Sequence, residues 1–198
     1  MSKENFSKEF EDIYLANIKR KGSDKFLEFL KTTDFFTAPA STKYHSNFEG
    51  GLVEHSVKAY KRFLKTVESE FGKDYLKKEG VMDTIATIAL LHDVCKVNCY
   101  KTEMRNVKVN GNWEQKPFFA YDDPMPYGHG EKSVYMISGF MQLSREEAMA
   151  INWHMGAYDA REGSFNYNSS KAFHMFPLAF LFHMSDMMAT YLDEKIIK

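Results

Sequence analysis

Residues 83–96, with the sequence DTIATIALLHDVCK, constrain the fold more than any other stretch of this chain. Apolar and imidazole side chains recur there with the period of one helical face, at Ile85, Ile88, Ala89 and His92. This pattern predicts a helix that carries His92 into the core with Asp93 beside it. A buried carboxylate is costly unless a cation compensates it. The stretch therefore predicts either a buried charged site or an ordinary helix end finished by polar residues.

Ligand-type side chains also lie on, or at the ends of, four other segments. Apolar periodicity predicts helices there, at about residues 52–71, 130–141, 144–155 and 172–192. In chain order, the side chains are His55, His129, His154 and Asp186. The last segment is apolar on nearly every side, so the carboxylate of Asp186 is a second costly charge. One cation held by His55, His92, Asp93 and Asp186 would compensate both carboxylates.

Six side chains are thus candidate metal ligands: His55, His92, Asp93, His129, His154 and Asp186. Imidazole and carboxylate donors suit divalent transition metals, and the number of imidazoles argues against calcium or magnesium alone. We expect one or two metal ions per chain, drawn from Mn, Fe, Ni, Co and Zn.

The other predicted elements are helical except for an excursion at about residues 100–128. Within it, Asn110-Gly111 is flanked by alternating residues at 106–113, which is a strong hairpin signal. We therefore expect an all-α class, with a helical bundle that carries a small β-hairpin and loop insertion. The chain is interpreted as a single domain of residues 1–198, with its core at about 50–192.

The composition of the chain argues against several classes of function. A length of 198 residues with 44% hydrophobic residues indicates one globular domain. The formal net charge of −1 gives no basis for binding a long nucleic acid or a membrane surface. The spacing of Cys95 and Cys99 fits neither a zinc ribbon nor a redox pair, and no signal peptide is apparent. We expect a cytoplasmic protein, and its oligomeric state stays open.

These residues together resemble the HD-domain superfamily of metal-dependent phosphohydrolases, whose signature is an ordered set of His, His-Asp and Asp on a helical bundle. The matching segments are GGLVEHS at residues 50–56, LHDVCK at 91–96 and SD at 185–186. The match spans roughly residues 50–190. The contexts of His129 and His154 resemble the additional ligands of binuclear members, in which the Asp of the His-Asp pair bridges two metals. Cys95 stands where the family usually has a small residue before the lysine.

The resemblance implies a phosphomonoesterase or phosphodiesterase that acts on a nucleotide or another small phosphate ester through metal-activated water. It implies catalytic roles for Asp93 and Lys96. Lys96 would also contact the substrate, as would Lys132 near a helix N-terminus. We further expect substrate contacts from Arg161 and from His45, although a loop histidine such as His45 has plain solvent exposure as its alternative.

Two other functions remain open from the sequence. Binuclear members with the same ligand set include di-iron oxygenases, and metal identity with oxygen dependence would separate them from hydrolases. The third possibility is a metal-stabilised binding module without catalysis. The complete ligand set and Lys96 argue against that module, because binding alone does not need them.

Overall fold

The computed structural model describes residues 3–159 and 167–194. Within these residues there are nine α-helices: α1 Lys3–Asn17, α2 Ser23–Thr32, α3 Gly51–Phe71, α4 Lys73–Leu76, α5 Val81–Leu91, α6 His129–Ser138, α7 Arg145–Asn152, α8 Asn168–Met175 and α9 Pro177–Met188. Two strands lie between α5 and α6: β1 Tyr100–Val109 and β2 Asn112–Tyr121. Single turns of other helical types occur at Val94–Lys96, Gly156–Tyr158 and Ala189–Asp193.

The all-α class expected from the sequence is wrong. The two strands pair antiparallel over their whole length, from Tyr100 with Tyr121 to Val109 with Asn112, so the fold is mostly helical with a two-stranded sheet. The turn lies where the sequence predicts it, at Asn110-Gly111 with φ values of 50° and 91°, as a two-residue hairpin turn requires. The strands extend far beyond residues 106–113. The sequence does not predict this length, because most of the strand residues are exposed on both faces, which leaves no apolar alternation to detect.

The core is built around α3, which packs against α1, α5 and α9. A second set of contacts joins α7 to α5, α6 and α9. Large apolar side chains from these helices are fully buried between them, among them Phe10, Leu52, Phe63, Ile85, Ile88 and Phe182. This packing brings one end of α3, α5, α6, α7 and α9 together, and the candidate ligands lie at that end.

An ion-pair network ties the segment after α1 to α5 and α7. The Arg20 guanidinium donates to both carboxylate oxygens of Glu147, at 2.8 and 2.7 Å, and also binds Asp83. Glu147 is almost fully buried and also forms a capping box with Ser144 at the start of α7, a pairing that the spacing of the two residues predicts. Its carboxylate therefore fixes α7 both locally and across the core.

The single helix expected at residues 172–192 is instead two helices and a π-helical turn. α8 ends at Met175, and Phe176 adopts an extended conformation with φ −133° and ψ 94° before Pro177 opens α9. Proline lacks an amide hydrogen and disfavours the helical conformation in the preceding residue. The break lets α9 take its own direction across α3 and α7. Among the described residues, no helix combines the length and the apolar character needed to cross a bilayer.

Candidate metal centre

The His92-Asp93 pair lies where α5 ends. The helix expected to run through Lys96 stops at Leu91, and Asp93 leaves the helical conformation with φ −105° and ψ 15°. Ser133 of α6 donates a hydrogen bond to the His92 carbonyl oxygen at 2.5 Å and accepts one from the Cys95 amide at 3.1 Å. The turn is therefore braced by a second helix, and it aims both side chains of the pair into the core.

Four donor atoms form a first group in the buried space between α3, α5 and α9. The Nε2 atom of His55 lies 3.0 Å from His92 Nε2, 3.5 Å from Asp93 Oδ2 and 3.1 Å from Asp186 Oδ1. His92 Nε2 is 3.4 Å from the same oxygen of Asp93. Metal–ligand bonds of about 2.0–2.2 Å place neighbouring donors about 3–3.5 Å apart, so this spacing fits one cation.

A second group shares Asp93 through its other oxygen. Asp93 Oδ1 lies 2.9 Å from His129 Nε2 and 3.6 Å from His154 Nε2. His154 also joins His92 and Asp186 in a compact set of donors. The structure therefore brings all six predicted ligands together, and the carboxylate of Asp93 faces both groups.

The tautomers of the histidines support binding of a cation. His92 Nδ1 lies 2.9 Å from the carbonyl oxygen of Ala89, and His154 Nδ1 lies 2.7 Å from that of Ile151. A carbonyl oxygen only accepts, so both rings donate from Nδ1 and, when neutral, present the lone pair of Nε2 to the centre. His154 Nε2 is buried without a hydrogen-bond partner among the described residues, and the buried Asp186 Oδ1 makes no hydrogen bond of ordinary geometry there, although His55 Nε2 lies 3.1 Å away. Unpaired buried acceptors that converge on one point fit a metal ion.

Two of the candidate ligands form hydrogen bonds with residues outside the set of six. Glu194 Oε1 lies 2.6 Å from His55 Nδ1, and its other oxygen accepts a hydrogen bond from Ser46 Oγ at 2.7 Å. On the opposite side, Lys96 Nζ donates to Asp93 Oδ2 at 2.6 Å. A histidine ligand that donates its second nitrogen to a carboxylate is fixed in orientation and becomes a stronger donor.

The electrostatics show how strongly the site attracts positive charge. Burial alone would lower the pKa of His55, but the carboxylates of Glu194 and Asp186 outweigh burial and raise that pKa to about 10. Burial would likewise raise the pKa of Asp93, but Lys96 and His92 hold it well below its usual range. Without a bound cation, a proton on His55 thus balances part of the carboxylate charge.

An open cavity of about 530 Å³ adjoins both groups of ligands. Its floor is formed by four of the candidate ligands, namely His55, Asp93, His154 and Asp186. Its walls carry aromatic and methionine side chains, namely Tyr44, Met155, Tyr158, Met187 and Tyr191. The volume is in the range of small-molecule sites, so the cavity admits a ligand of nucleotide size to the candidate metal centre.

The residues expected to contact substrate have different positions. Lys96 and His45 both line the cavity. The ring of His45 lies 5.1 Å from that of His55, and burial lowers the pKa of His45 to about 4, so this side chain is not the exposed loop residue of the alternative interpretation. Lys132 is buried away from the cavity lining, with Nζ 2.5 Å from Asp123 Oδ1 and 3.2 Å from Cys99 Sγ. Arg161 lies outside the described residues.

Sequence reasoning missed Glu194 and Ser46, the residues that anchor His55. Glu194 follows the π-helical turn Ala189–Asp193, and no periodicity marks it as buried.

Searches of protein-family models, of curated proteins and of solved structures find no match to this chain.

Proposed function

We propose that this protein is a metal-dependent phosphohydrolase that acts on a nucleotide or another small phosphate ester. The observation that carries the proposal is the buried convergence of four imidazoles and two carboxylates beneath an open cavity. Asp93 offers one oxygen to each ligand group, so the arrangement suits two divalent transition metals, although one suffices for its first group. This is also the arrangement that the resemblance to HD-domain phosphohydrolases implies.

His55, His92, Asp93 and Asp186 would hold the first metal, and His129, His154 and Asp93 the second. A bound metal of this class lowers the pKa of coordinated water towards neutrality and polarises a phosphoryl oxygen. Hydrogen bonds hold three of these imidazole rings in place. The ring of His92 is held by a carbonyl oxygen of α5, that of His154 by a carbonyl oxygen of α7, and that of His55 by the carboxylate of Glu194.

Lys96 supplies positive charge at the boundary between the ligands and the cavity. Its ammonium group is held 2.6 Å from Asp93 Oδ2, and burial, which lowers its pKa, is outweighed by the Asp93 charge, which raises it. The group is therefore cationic at neutral pH. From this position Lys96 orients Asp93 and can donate a hydrogen bond to a phosphoryl oxygen of the substrate.

The cavity walls favour a substrate with a single phosphoryl group and a flat apolar part. Among the described lining residues, Lys96 is the one lysine or arginine, so a polyphosphate chain would find little further charge. Tyr44, Tyr158 and Tyr191 line the cavity and are largely exposed. Aromatic faces of this kind stack on nucleobases regardless of base identity.

The test is metal-dependent hydrolysis by protein reconstituted with Mn, Co, Ni, Fe or Zn, assayed on nucleoside monophosphates, p-nitrophenyl phosphate and bis(p-nitrophenyl) phosphate. Lys96→Met should keep its metal and lose about 100-fold in kcat/KM, the scale of one transition-state hydrogen-bond donor. Lys101→Met is the matched control, because Lys101 is exposed on β1 and pairs with Asp122. Hydrolysis that is equally fast in metal-free protein, or unchanged in Lys96→Met, would contradict the proposal.

A di-iron oxygenase is the second candidate, favoured by the four imidazole donors and the shared carboxylate. Elemental analysis of protein purified without chelators separates the two functions. Two irons per chain together with substrate-dependent oxygen consumption would support the oxygenase. One or two ions of Mn, Ni, Co or Zn with phosphate release would support the hydrolase.

A further inference from the structure

The hairpin formed by β1 and β2 stands apart from the helical body. Residues 101–106 of β1 and 112–118 of β2 are all exposed, so over this length the ribbon is covered on neither face. Ten residues in a strand span about 33 Å. An isolated two-stranded ribbon is only marginally stable in water, and further strands or a packed helix are what usually stabilise it. A further strand or a packed element would therefore stabilise this long, exposed ribbon.

The two outer edges of the ribbon differ. The Asp122 amide donates to the Cys99 carbonyl oxygen at 2.8 Å. Because hydrogen-bonded and non-hydrogen-bonded pairs alternate along antiparallel strands, this bond shows which residues of β1 bind β2. Odd-numbered residues direct their backbone groups to β2, and even-numbered residues direct theirs outward. Pro117 pairs with Met104, so the amide hydrogen that proline lacks would have pointed outward from β2. The edge of β2 is therefore interrupted at its middle, whereas β1 has an unbroken row of outward donors and acceptors.

The charges of β1 complement those of a second copy in one antiparallel register. Two antiparallel copies are related by a twofold axis. If that axis passes through Met104, the outward-facing backbone groups of the two copies meet each other, and residues 100–108 pair with residues 108–100 of the second copy. Glu103 then lies opposite Arg105 of the second copy, twice per pair, on one face of the sheet. Both side chains are more than half exposed, at 57% and 54%, and within one copy they contact each other at 3.4 Å, an ion pair that the cross-strand pairs would extend.

Neighbouring registers are worse. An axis through Glu103 places that carboxylate opposite itself, and an axis through Arg105 places two guanidinium groups opposite each other, both of which are unfavourable. An axis through Thr102 pairs only residues 100–104. An axis midway between two residues would pair even-numbered residues with odd-numbered residues. The outward-facing backbone groups of one copy would then meet backbone groups of the other copy that already bind β2.

We propose that two copies of this chain associate through β1 in the register centred on Met104, and so form a four-stranded antiparallel sheet. Each half of the interface carries the alternating charges of Glu103 and Arg105, and the two Met104 side chains meet on the opposite face. The proposal is independent of the catalytic function, because none of these residues lines the cavity.

The test is the oligomeric state of the full chain by sedimentation equilibrium and light scattering over a wide concentration range. Glu103→Arg and Arg105→Glu should each raise the dimer dissociation constant by about tenfold or more, since each turns two attractive cross-strand pairs into repulsive ones. The double variant Glu103→Arg/Arg105→Glu should recover dimerisation. An equimolar mixture of the two single variants should form heterodimers, because each then faces opposite charges.

A backbone variant tests the edge itself. Met104→Pro removes the central outward amide of β1 without removing a hydrogen bond to β2, and it should abolish the dimer, whereas Met104→Val should retain it. Far-ultraviolet circular dichroism checks that both variants stay folded. A wild-type chain that is monomeric throughout, or a dimer that neither the charge reversals nor Met104→Pro weaken, would overturn the proposal.

Discussion

Metal binding should stabilise the fold measurably, and replacing one buried ligand should remove that effect. The perturbation is His92→Gln. His92 is fully buried, and its Nε2 atom lies 3.0 Å from His55 Nε2 and 3.4 Å from Asp93 Oδ2. Glutamine is of similar size and remains polar, but it is a much weaker metal ligand than imidazole. The variant should therefore fold and fail to respond to metal.

The size of the effect follows from linkage. A metal present at 100 times its dissociation constant adds about 2.7 kcal/mol to the free energy of unfolding, provided that it binds only the folded state. For a chain of this length, each kcal/mol corresponds to about 2–4 °C in melting temperature. The wild-type protein should thus melt about 5–11 °C higher with saturating metal than after chelation.

The assay is thermal unfolding of the wild type, His92→Gln and His174→Gln, each with chelator and with a series of Mn, Co, Ni and Zn concentrations. His174 is an exposed residue of α8 and contributes to none of the donor groups, so His174→Gln should shift as the wild type does. A wild-type melting temperature that is indifferent to both metal and chelator would refute a shared metal site. An equal shift in His92→Gln would refute its place among the ligands.

Three further outcomes are expected. Burial alone would raise the pKa of Glu147, but hydrogen bonds from Arg20 outweigh burial and lower that pKa. The contribution of the Arg20–Glu147 pair to the free energy of unfolding is therefore fully present above the unfolded pKa of about 4.3. It is lost as the pH falls through the folded pKa. Glu147→Gln should cost about 3 kcal/mol at pH 7 and progressively less in acid, as measured by denaturant unfolding from pH 7 to 3. Gly156→Ala should cost about 1–3 kcal/mol, because φ is +54° and the added Cβ would lie 2.6 Å from the ring of His183; an unchanged unfolding midpoint would contradict this clash. Lys132→Met should destabilise the fold by about 2 kcal/mol through its lost ion pair while leaving KM unchanged, and a raised KM would instead support the substrate contact expected from the sequence.

Helix α3 was predictable because it has one face in the core and another in water, whereas α5 is buried on every side from Ile85 to Leu91. The stripe of α3 and the capping box of α7 follow directly from residue spacing. The extent of the hairpin was not predictable in the same way, because strands exposed on both faces carry no alternation. The break at Phe176 was signalled by Pro177, but the apolar residues around it suggested one continuous helix.

The candidate metal ligands were predictable because burying their charges is costly. A carboxylate next to an imidazole on an apolar face, and another within an apolar helix, require compensation that only a few chemistries supply. That reasoning needs the local pattern alone, so it identified Asp93 and Asp186 without knowledge of the tertiary structure.

Glu194 and Lys132 show where this reasoning ends. The side chain of Glu194 is buried where it meets His55, which lies 139 positions earlier in the chain, and nothing in the sequence around Glu194 distinguishes it from an exposed glutamate. Lys132 was expected to contact substrate from its place near a helix N-terminus, but the loop before α6 supplies Asp123, which binds its ammonium group. A ligand's helix can be read from local periodicity, whereas the partner of a charge depends on which distant segment packs against it, and that is decided by the tertiary fold.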